Sequence, residues 1–331
     1  MHSLESLQSE LDGLRSAVRG LLAHLDARVV GHPEITRQIL ECLAASGHCL
    51  LEGAPGLGKT TLVRTLAQRV DLDFNRVQFT PDLMPGDIIG SRILKFDERG
   101  AQGLQYEPGP VHTQILLADE INRATPRTQS ALLEAMEERQ VTVFGETRKL
   151  PEPFMVVATQ NPIEMEGTFP LPEAQLDRFL IKLDLPLPTP EQLQQLLLHP
   201  AHTGASNEDA PRALHRAEVL RLQSLVKQIA VGEDVAQWVA RIVHASHPTS
   251  PLAGAKVRAL VRHGSSPRGG LALLSMARAR ALLAGSLHVR REDIQNLAPA
   301  CLQHRILLNF EGQADANSLP QILDELLRTT A

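Results

Sequence analysis

The segment Gly53-Ala54-Pro55-Gly56-Leu57-Gly58-Lys59-Thr60 constrains what this chain can fold into more than any other. It has the form G-x-x-x-x-G-K-[ST], it directly follows the apolar run 48–52, and a helical pattern begins near Thr61. A strand, a glycine-rich turn and a helix in that order point successive backbone N–H groups at one spot, where the helix N-terminus favours an anion. Lys59 can then reach the β- and γ-phosphates of a nucleotide, and the Thr60 hydroxyl can coordinate Mg²⁺. Thr61 opens the helix behind them.

A second element has the complementary chemistry. Ile115-Leu-Leu-Ala-Asp119-Glu120 is an apolar run ending in two carboxylates. On a buried strand, Asp119 can hold the metal and Glu120 can polarise an attacking water, a pairing that suits hydrolysis better than phosphate transfer. Alone, such a run is weak, because many strands end in solvated acids; beside the glycine-rich loop it gains weight.

Around these motifs, apolar runs at 48–52, 76–79, 115–119, 154–159 and 179–185 alternate with helical spacing. The alternation predicts a mainly parallel α/β sheet with helices on both faces. Leu4, Leu7, Leu11, Leu14, Val18, Leu21, Leu22 and Leu25 recur at helical spacing, so residues 1–28 form a leading helix packed on the core. The prolines of 185–190 stop any helix or central strand and place the domain boundary near 186/187. Beyond it, 191–198, 218–229, 233–246, 271–283 and 293–308 read as helices, giving a smaller helical domain over 187–331, with 199–211 an exposed loop. Turn residues in 81–110 and 139–150 interrupt the alternation as hairpin inserts, one turning around 98–103 and the other at Gly145.

Composition excludes several classes. A net charge of −5 and 3 % aromatic residues disfavour bulk or single-stranded nucleic-acid binding. Cys42, Cys49 and Cys301 form no CxxC pair and fit buried thiols in a reducing compartment, hence a cytoplasmic location. No signal-peptide core or membrane-length apolar run is visible, so neither export nor membrane insertion is expected. His199/His202 and His244/His247 are spaced three apart, but neither pair has a third ligand of matching spacing, so solvent-facing or capping roles are favoured over metal.

In VVGHPEI (29–35), LLEGAPGLGKT (50–60), LLADEINRATPRTQSALLEAMEERQVTV (116–143), VVATQNPIE (156–164), LPEAQLDRF (171–179) and GSSPRGG (264–270) the chain resembles the MoxR family of AAA+ ATPases. The resemblance implies a P-loop AAA+ module with a parallel five-stranded sheet over 29–186, followed by a smaller all-α lid, with ATP and Mg²⁺ as cofactors. It implies that Val29, Val30 and Gly31 contact adenine, that Asn161 is a first sensor, and that Arg178 is an arginine finger reaching a neighbouring subunit's ATP. Arg268 resembles a second sensor that closes the lid on the γ-phosphate; Arg123 and Arg127 are secondary candidates to face a neighbour. Gly-Ser-Ser-Pro-Arg stands where Gly-Ala-Ser-Pro-Arg is usual, and His247 where Arg is common, which leaves the role of that Arg open. As a family expectation, the chain is a ring-forming, chaperone-like ATP hydrolase, a hexamer that remodels a protein partner, with a von Willebrand factor A domain protein the implied class. The alternatives are a nucleotide-gated binding module with slow hydrolysis, and a chelatase or nucleic-acid remodelling subunit.

Overall fold

The computed structural model describes residues 4–28, 33–54, 56–96, 102–162, 167–198 and 214–330. Its strands in chain order are β1 (Cys49–Glu52), β2 (Phe74–Gln78), β3 (Gly90–Phe96), β4 (Gln102–Pro108), β5 (Ile115–Asp119), β6 (Gln140–Val143), β7 (Glu146–Lys149), β8 (Met155–Gln160), β9 (Ile181–Asp184), β10 (Val261–His263) and β11 (Leu307–Leu308). The apolar runs become a five-stranded sheet in the order β2-β5-β8-β1-β9, every neighbour parallel. Burial on both faces is why these runs are continuously apolar. Leu50, Leu116 and Val156 point into one core, and Cys49, Leu51, Leu117 and Val157 into the other.

Parallel strands all end at one edge of the sheet. Here the last residues are Glu52, Gln78, Asp119, Gln160 and Asp184, so polar groups gather at the carboxyl edge, where open α/β sheets bind ligands.

The helices are α1 (Leu4–Arg28), α2 (Pro33–Ala44), α3 (Lys59–Arg69), α4 (Pro85–Ile89), α5 (Pro126–Glu138), α6 (Glu173–Leu176) and α7 (Pro190–Leu198), then α8 (Arg216–Val226), α9 (Glu233–Ala245), α10 (Ala255–Leu260), α11 (Pro267–Ala284), α12 (Arg291–Leu302), α13 (Phe310–Gln313) and α14 (Ser318–Thr329). Leu14, Val18, Leu21 and Leu25 of α1 join the same buried cluster as Leu40 of α2, Leu62 of α3 and Leu273 of α11. That cluster runs without a break into the lid. A buried ion pair reinforces the junction: Arg280 of α11 donates through Nε and Nη2 to Glu41 of α2, both at 2.9 Å.

Residues 81–110 and 139–150 leave the sheet. β3 pairs with β4 and β6 with β7, both antiparallel, and the connection around residues 98–101 lies outside the described residues. Two differences from the expected lid are visible. The helix expected over 293–308 stops at Leu302, because Leu308 pairs with Val261 in the short ribbon β10–β11, so the lid is not purely helical. The apolar spacing persists across that break because Ile306 stays buried while the backbone changes. The terminal α14, which the spacing argument had not reached, buries Ile322, Leu323 and Leu326 against the lid. No helix among the described residues is long and apolar enough to cross a membrane.

Candidate nucleotide site

The loop after β1 is shaped by two glycines. Gly56 (φ +81°) and Gly58 (φ +77°) occupy left-handed backbone, and a Cβ placed on either would meet nothing within 4 Å. L side chains rarely adopt that conformation. α3 begins at Lys59 immediately after Gly58, so its free N–H groups face the same open space. Pro55, Val30 and Gly31 lie outside the described residues; Gly53, Ala54 and Leu57 complete the described part of the loop.

Lys59 folds back on this loop. Its Nζ donates to the Gly53 carbonyl at 2.6 Å and to the Gln160 carbonyl at 3.3 Å. Burial lowers its pKa, while Asp119, Glu120 and Glu52 act in the opposite direction. The lysine is therefore held at the junction of β1 and β8 by carbonyls that an anion could replace.

Asp119 is the hub. Thr60 Oγ1 donates to its Oδ2 at 3.4 Å, and Thr159 Oγ1 donates to its Oδ1 at 2.6 Å. Thr159, which no sequence motif singles out, also accepts the Glu120 backbone N–H at Oγ1 at 2.8 Å, and so fixes both acidic residues. A third donor, likewise unsuspected, is Arg76 on β2: Nε and Nη2 reach Asp119 Oδ2 at 3.1 and 2.7 Å. The signal available for it was the spacing of Arg76 and Gln78 on one strand, which places both on the same face.

Glu120 adopts left-handed backbone (φ 57°, ψ 51°), an uncommon state for this residue that turns its side chain out of the strand line. Its Oε2 accepts from Gln78 Nε2 at 2.7 Å and from Arg123 Nη1 at 2.9 Å. Arg123 is thus engaged within its own chain, whereas Arg127 is exposed on α5. Asn161, 3 % exposed, follows the last residue of β8 and so lies at the same edge as Lys59.

Arg178 and Arg268 are elsewhere. The Leu180 N–H donates to the His48 carbonyl, so residues 178–180 lie at the start of β1, whereas the glycine-rich loop leaves its end. The two ends of β1, Cys49 and Glu52, are about 10 Å apart at ~3.3 Å per residue. Arg268, in the first turn of α11, lies in the same cleft of about 500 Å³ as Arg178, Ser46, Gly47, His48 and Glu137. Within one chain Arg268 therefore stands away from the phosphate loop, with α11 docked at the far end of the sheet.

The Arg178 segment is clamped from the lid. Asp177 accepts from Arg305 Nε at 2.7 Å and from Ser266 Oγ at 2.9 Å, and Arg305 also donates to the carbonyls of Asp177, Phe179 and Leu180. Asp177 is therefore occupied, and Arg178 pairs instead with Glu137. His247 reaches the Ser265 carbonyl at 3.0 Å and steadies the turn into α11, and His244 reaches Ser250 Oγ at 2.6 Å. The two rings serve separate partners. No cluster of three or more His, Cys, Asp or Glu able to hold a metal occurs among the described residues. Cys42, Cys49 and Cys301 are buried free thiols.

The donor set fits Mg²⁺ with a nucleotide. A hydroxyl and a carboxylate are hard oxygen ligands, the guanidinium of Arg76 stands as a cation on the same carboxylate oxygen, and the space over Gly56 and Gly58 is open.

Comparison with known proteins agrees with this geometry. Residues 48–181 match the ATPase family associated with various cellular activities (AAA), and residues 255–326 match the AAA lid domain. Chaperone MoxR1 of Mycobacterium tuberculosis is 39 % identical over 99 % of this chain and 84 % of its own length. Protein MoxR of Methylorubrum extorquens is 32 % identical over 93 % of this chain and 92 % of its own. A solved structure from Cytophaga hutchinsonii superposes with a TM-score of 0.90 at 36 % identity, covering 98 % of each chain. With the glycine-rich loop, the paired carboxylates and the lid in one chain, and relatives matched over nearly its whole length, the protein belongs to the MoxR family of AAA+ ATPases.

Proposed function

We propose that this protein binds ATP with Mg²⁺ at residues 53–61 and hydrolyses it as one subunit of a ring, a hexamer, that remodels or activates a partner protein in the cytoplasm. The observation that carries the reading is the division of the site. Lys59, Thr60, Asp119, Glu120 and Asn161 gather at the carboxyl edge of the sheet, whereas Arg178 and Arg268 stand together at the opposite end. Two arginines so placed stand away from the phosphate loop of their own chain, which supports a role at the nucleotide of a second copy. The site is then complete only between subunits.

The roles follow from position. Lys59 exchanges its carbonyl partners for phosphate oxygens, and the loop and α3 N–H groups hold the anion. Mg²⁺, held by Thr60 and Asp119, would neutralise developing negative charge on the phosphates. Glu120 accepts the proton of the attacking water once Gln78 and Arg123 release it, and Asn161 orients that water. Thr159 keeps both carboxyl-bearing residues in register. Arg178 and Arg268, from the neighbour, stabilise charge on the transferred phosphoryl group; such arginines contribute roughly a thousandfold or more to turnover in comparable systems.

The two hairpins, β3–β4 and β6–β7, are the natural partner-facing elements. Phe144 and Leu104 on them are exposed apolar side chains. A partner with a von Willebrand factor A domain is proposed on family grounds alone.

A second reading, a nucleotide-gated binding module with slow hydrolysis, is favoured by one observation: Glu120 is held by Gln78 and Arg123 rather than left open. Phosphate release per subunit, measured over a wide range of protein concentration with Arg178→Ala alongside, separates the two. A steep rise with concentration that the variant lacks supports the ring hydrolase; a flat or absent signal moves the binding module ahead.

A further inference from the structure

The two oxygens of Asp119 have different surroundings. Oδ1 is taken by Thr159, deep in the sheet. Oδ2 is the oxygen shared with the Thr60 hydroxyl, and on it sit both Nε and Nη2 of Arg76. Each of these atoms is within hydrogen-bond distance, so the guanidinium fills the side of the carboxylate that a cation would use. A unit positive charge there opposes a divalent ion a few ångströms away by an amount that matters even in a water-like medium.

Arg76 is also able to leave. Its side chain is 42 % exposed, on β2 at the edge of the sheet, and its Nη2 also donates to Gln78 Oε1 at 2.9 Å. Gln78, two residues on and on the same face of the strand, gives its Nε2 to Glu120 Oε2 at 2.7 Å. One continuous chain of hydrogen bonds therefore links Asp119, Arg76, Gln78 and Glu120. Hydrogen bonds in such a chain polarise one another, so losing the first weakens the last.

We propose that Arg76 is a built-in competitor for the divalent cation: guanidinium and metal exclude each other at Asp119 Oδ2, and withdrawal of Arg76 loosens Gln78 and with it the hold on Glu120. The site then selects for nucleotide arriving with metal, because only a cation can replace the charge that Arg76 takes away. Metal loading and release of Glu120 become one event. This inference rests on the MgATP reading of the site.

The test uses the full chain and a fluorescent, non-hydrolysable ATP analogue. Its binding is titrated with Mg²⁺ for wild type, Arg76→Met and Arg76→Lys, each first checked for folding by its unfolding transition. Loss of the charge should lower the Mg²⁺ concentration for half-maximal binding by about tenfold or more, while the lysine variant stays within about threefold of wild type. An unchanged or higher requirement in Arg76→Met overturns the proposal, leaving the ATP reading intact. Absence of any nucleotide binding by wild type overturns both. If Arg76→Met does not fold, the crystal structure of wild type with Mg²⁺ and the analogue decides: Arg76 beyond hydrogen-bond distance of Asp119 supports the competition, and Arg76 still on Oδ2 beside bound metal overturns it.

Discussion

Arg178 and Arg268 hold the two oxygens of one carboxylate: Arg178 Nη1 lies 3.0 Å from Glu137 Oε2 and Arg268 Nη2 lies 2.5 Å from Glu137 Oε1. Glu137 thus takes the place of the anion that the two arginines are proposed to meet on a neighbouring subunit. All three side chains are partly exposed, so each pair is worth at most about 1 kcal/mol and can be exchanged. Glu137→Gln should free both arginines and raise specific ATPase activity by up to about fivefold at protein concentrations where assembly is incomplete. Stability should change by less than about 1 kcal/mol. Activity equal to or below wild type at every concentration would show that Glu137 positions the arginines rather than competing for them.

The clamp behind Arg178 is of a different kind. Arg305 is 6 % exposed and satisfies Asp177 together with the carbonyls of Phe179 and Leu180. Removing it takes the cation from Asp177, which keeps only the Ser266 hydroxyl, and withdraws donors from several carbonyls. Arg305→Met should therefore cost about 3–5 kcal/mol in urea unfolding, against less than about 1 kcal/mol for Arg178→Met. Comparable losses for the two variants would mean that water replaces Arg305 without penalty, and that the lid is not pinned through this residue.

Acid sensitivity follows from two buried rings. His48 accepts the Val156 N–H at Nδ1 (2.9 Å), and its Nε2 lies 3.1 Å from the Met136 carbonyl, so the neutral tautomer is fully satisfied. Burial, with a smaller contribution from Arg139, pushes its pKa down to about 3, and burial lowers His304 as well. The unfolded chain protonates near 6.5, so below that pH it binds protons that the folded chain refuses. Stability should be fully present above about pH 6.5 and fall as pH drops, by up to about 1.4 kcal/mol per unit for each ring. Denaturant unfolding of wild type and His48→Gln between pH 4.5 and 7.5 checks this. A variant with the same pH slope as wild type would acquit His48.

Much of this was legible in the sequence because it is written in local periodicity. Strand, glycine turn and helix are contiguous at residues 48–61, and Asp119 and Glu120 end an apolar run that has nowhere to go but the interior of a sheet. What escaped was set by strand order rather than by spacing. Arg76 reaches Asp119 because β2 is hydrogen-bonded to β5, a pairing between segments far apart in the chain. Arg305 likewise reaches Asp177 only because the lid docks at the start of β9. The place of Arg268 is set the same way: its motif defines a helix N-terminus, but not which end of the sheet that helix meets.

The turn between β6 and β7 carries a cost at a visible place. Phe144 has φ 52° and Gly145 φ 82°, so the two-residue loop has positive φ at both positions, as in a type I′ turn. Asn-Gly is the favoured pair for such a turn, and an aromatic residue at the first position costs about 1–2 kcal/mol. Phe144 is 69 % exposed, so no core burial offsets this, and Arg92 lies 5.2 Å from its ring centre, a contact worth about 0.5–1 kcal/mol. Phe144→Asn should therefore stabilise the chain by roughly 0.5–1 kcal/mol. The same change in an Arg92→Ala background should gain more, because the cation–π contact is already absent. Thermal unfolding of the two single variants and the double variant tests both statements. A net loss in the single variant that vanishes without Arg92 would assign the ring a structural role through that arginine, and a gain in both would leave the exposed aromatic without a stabilising purpose in the isolated subunit.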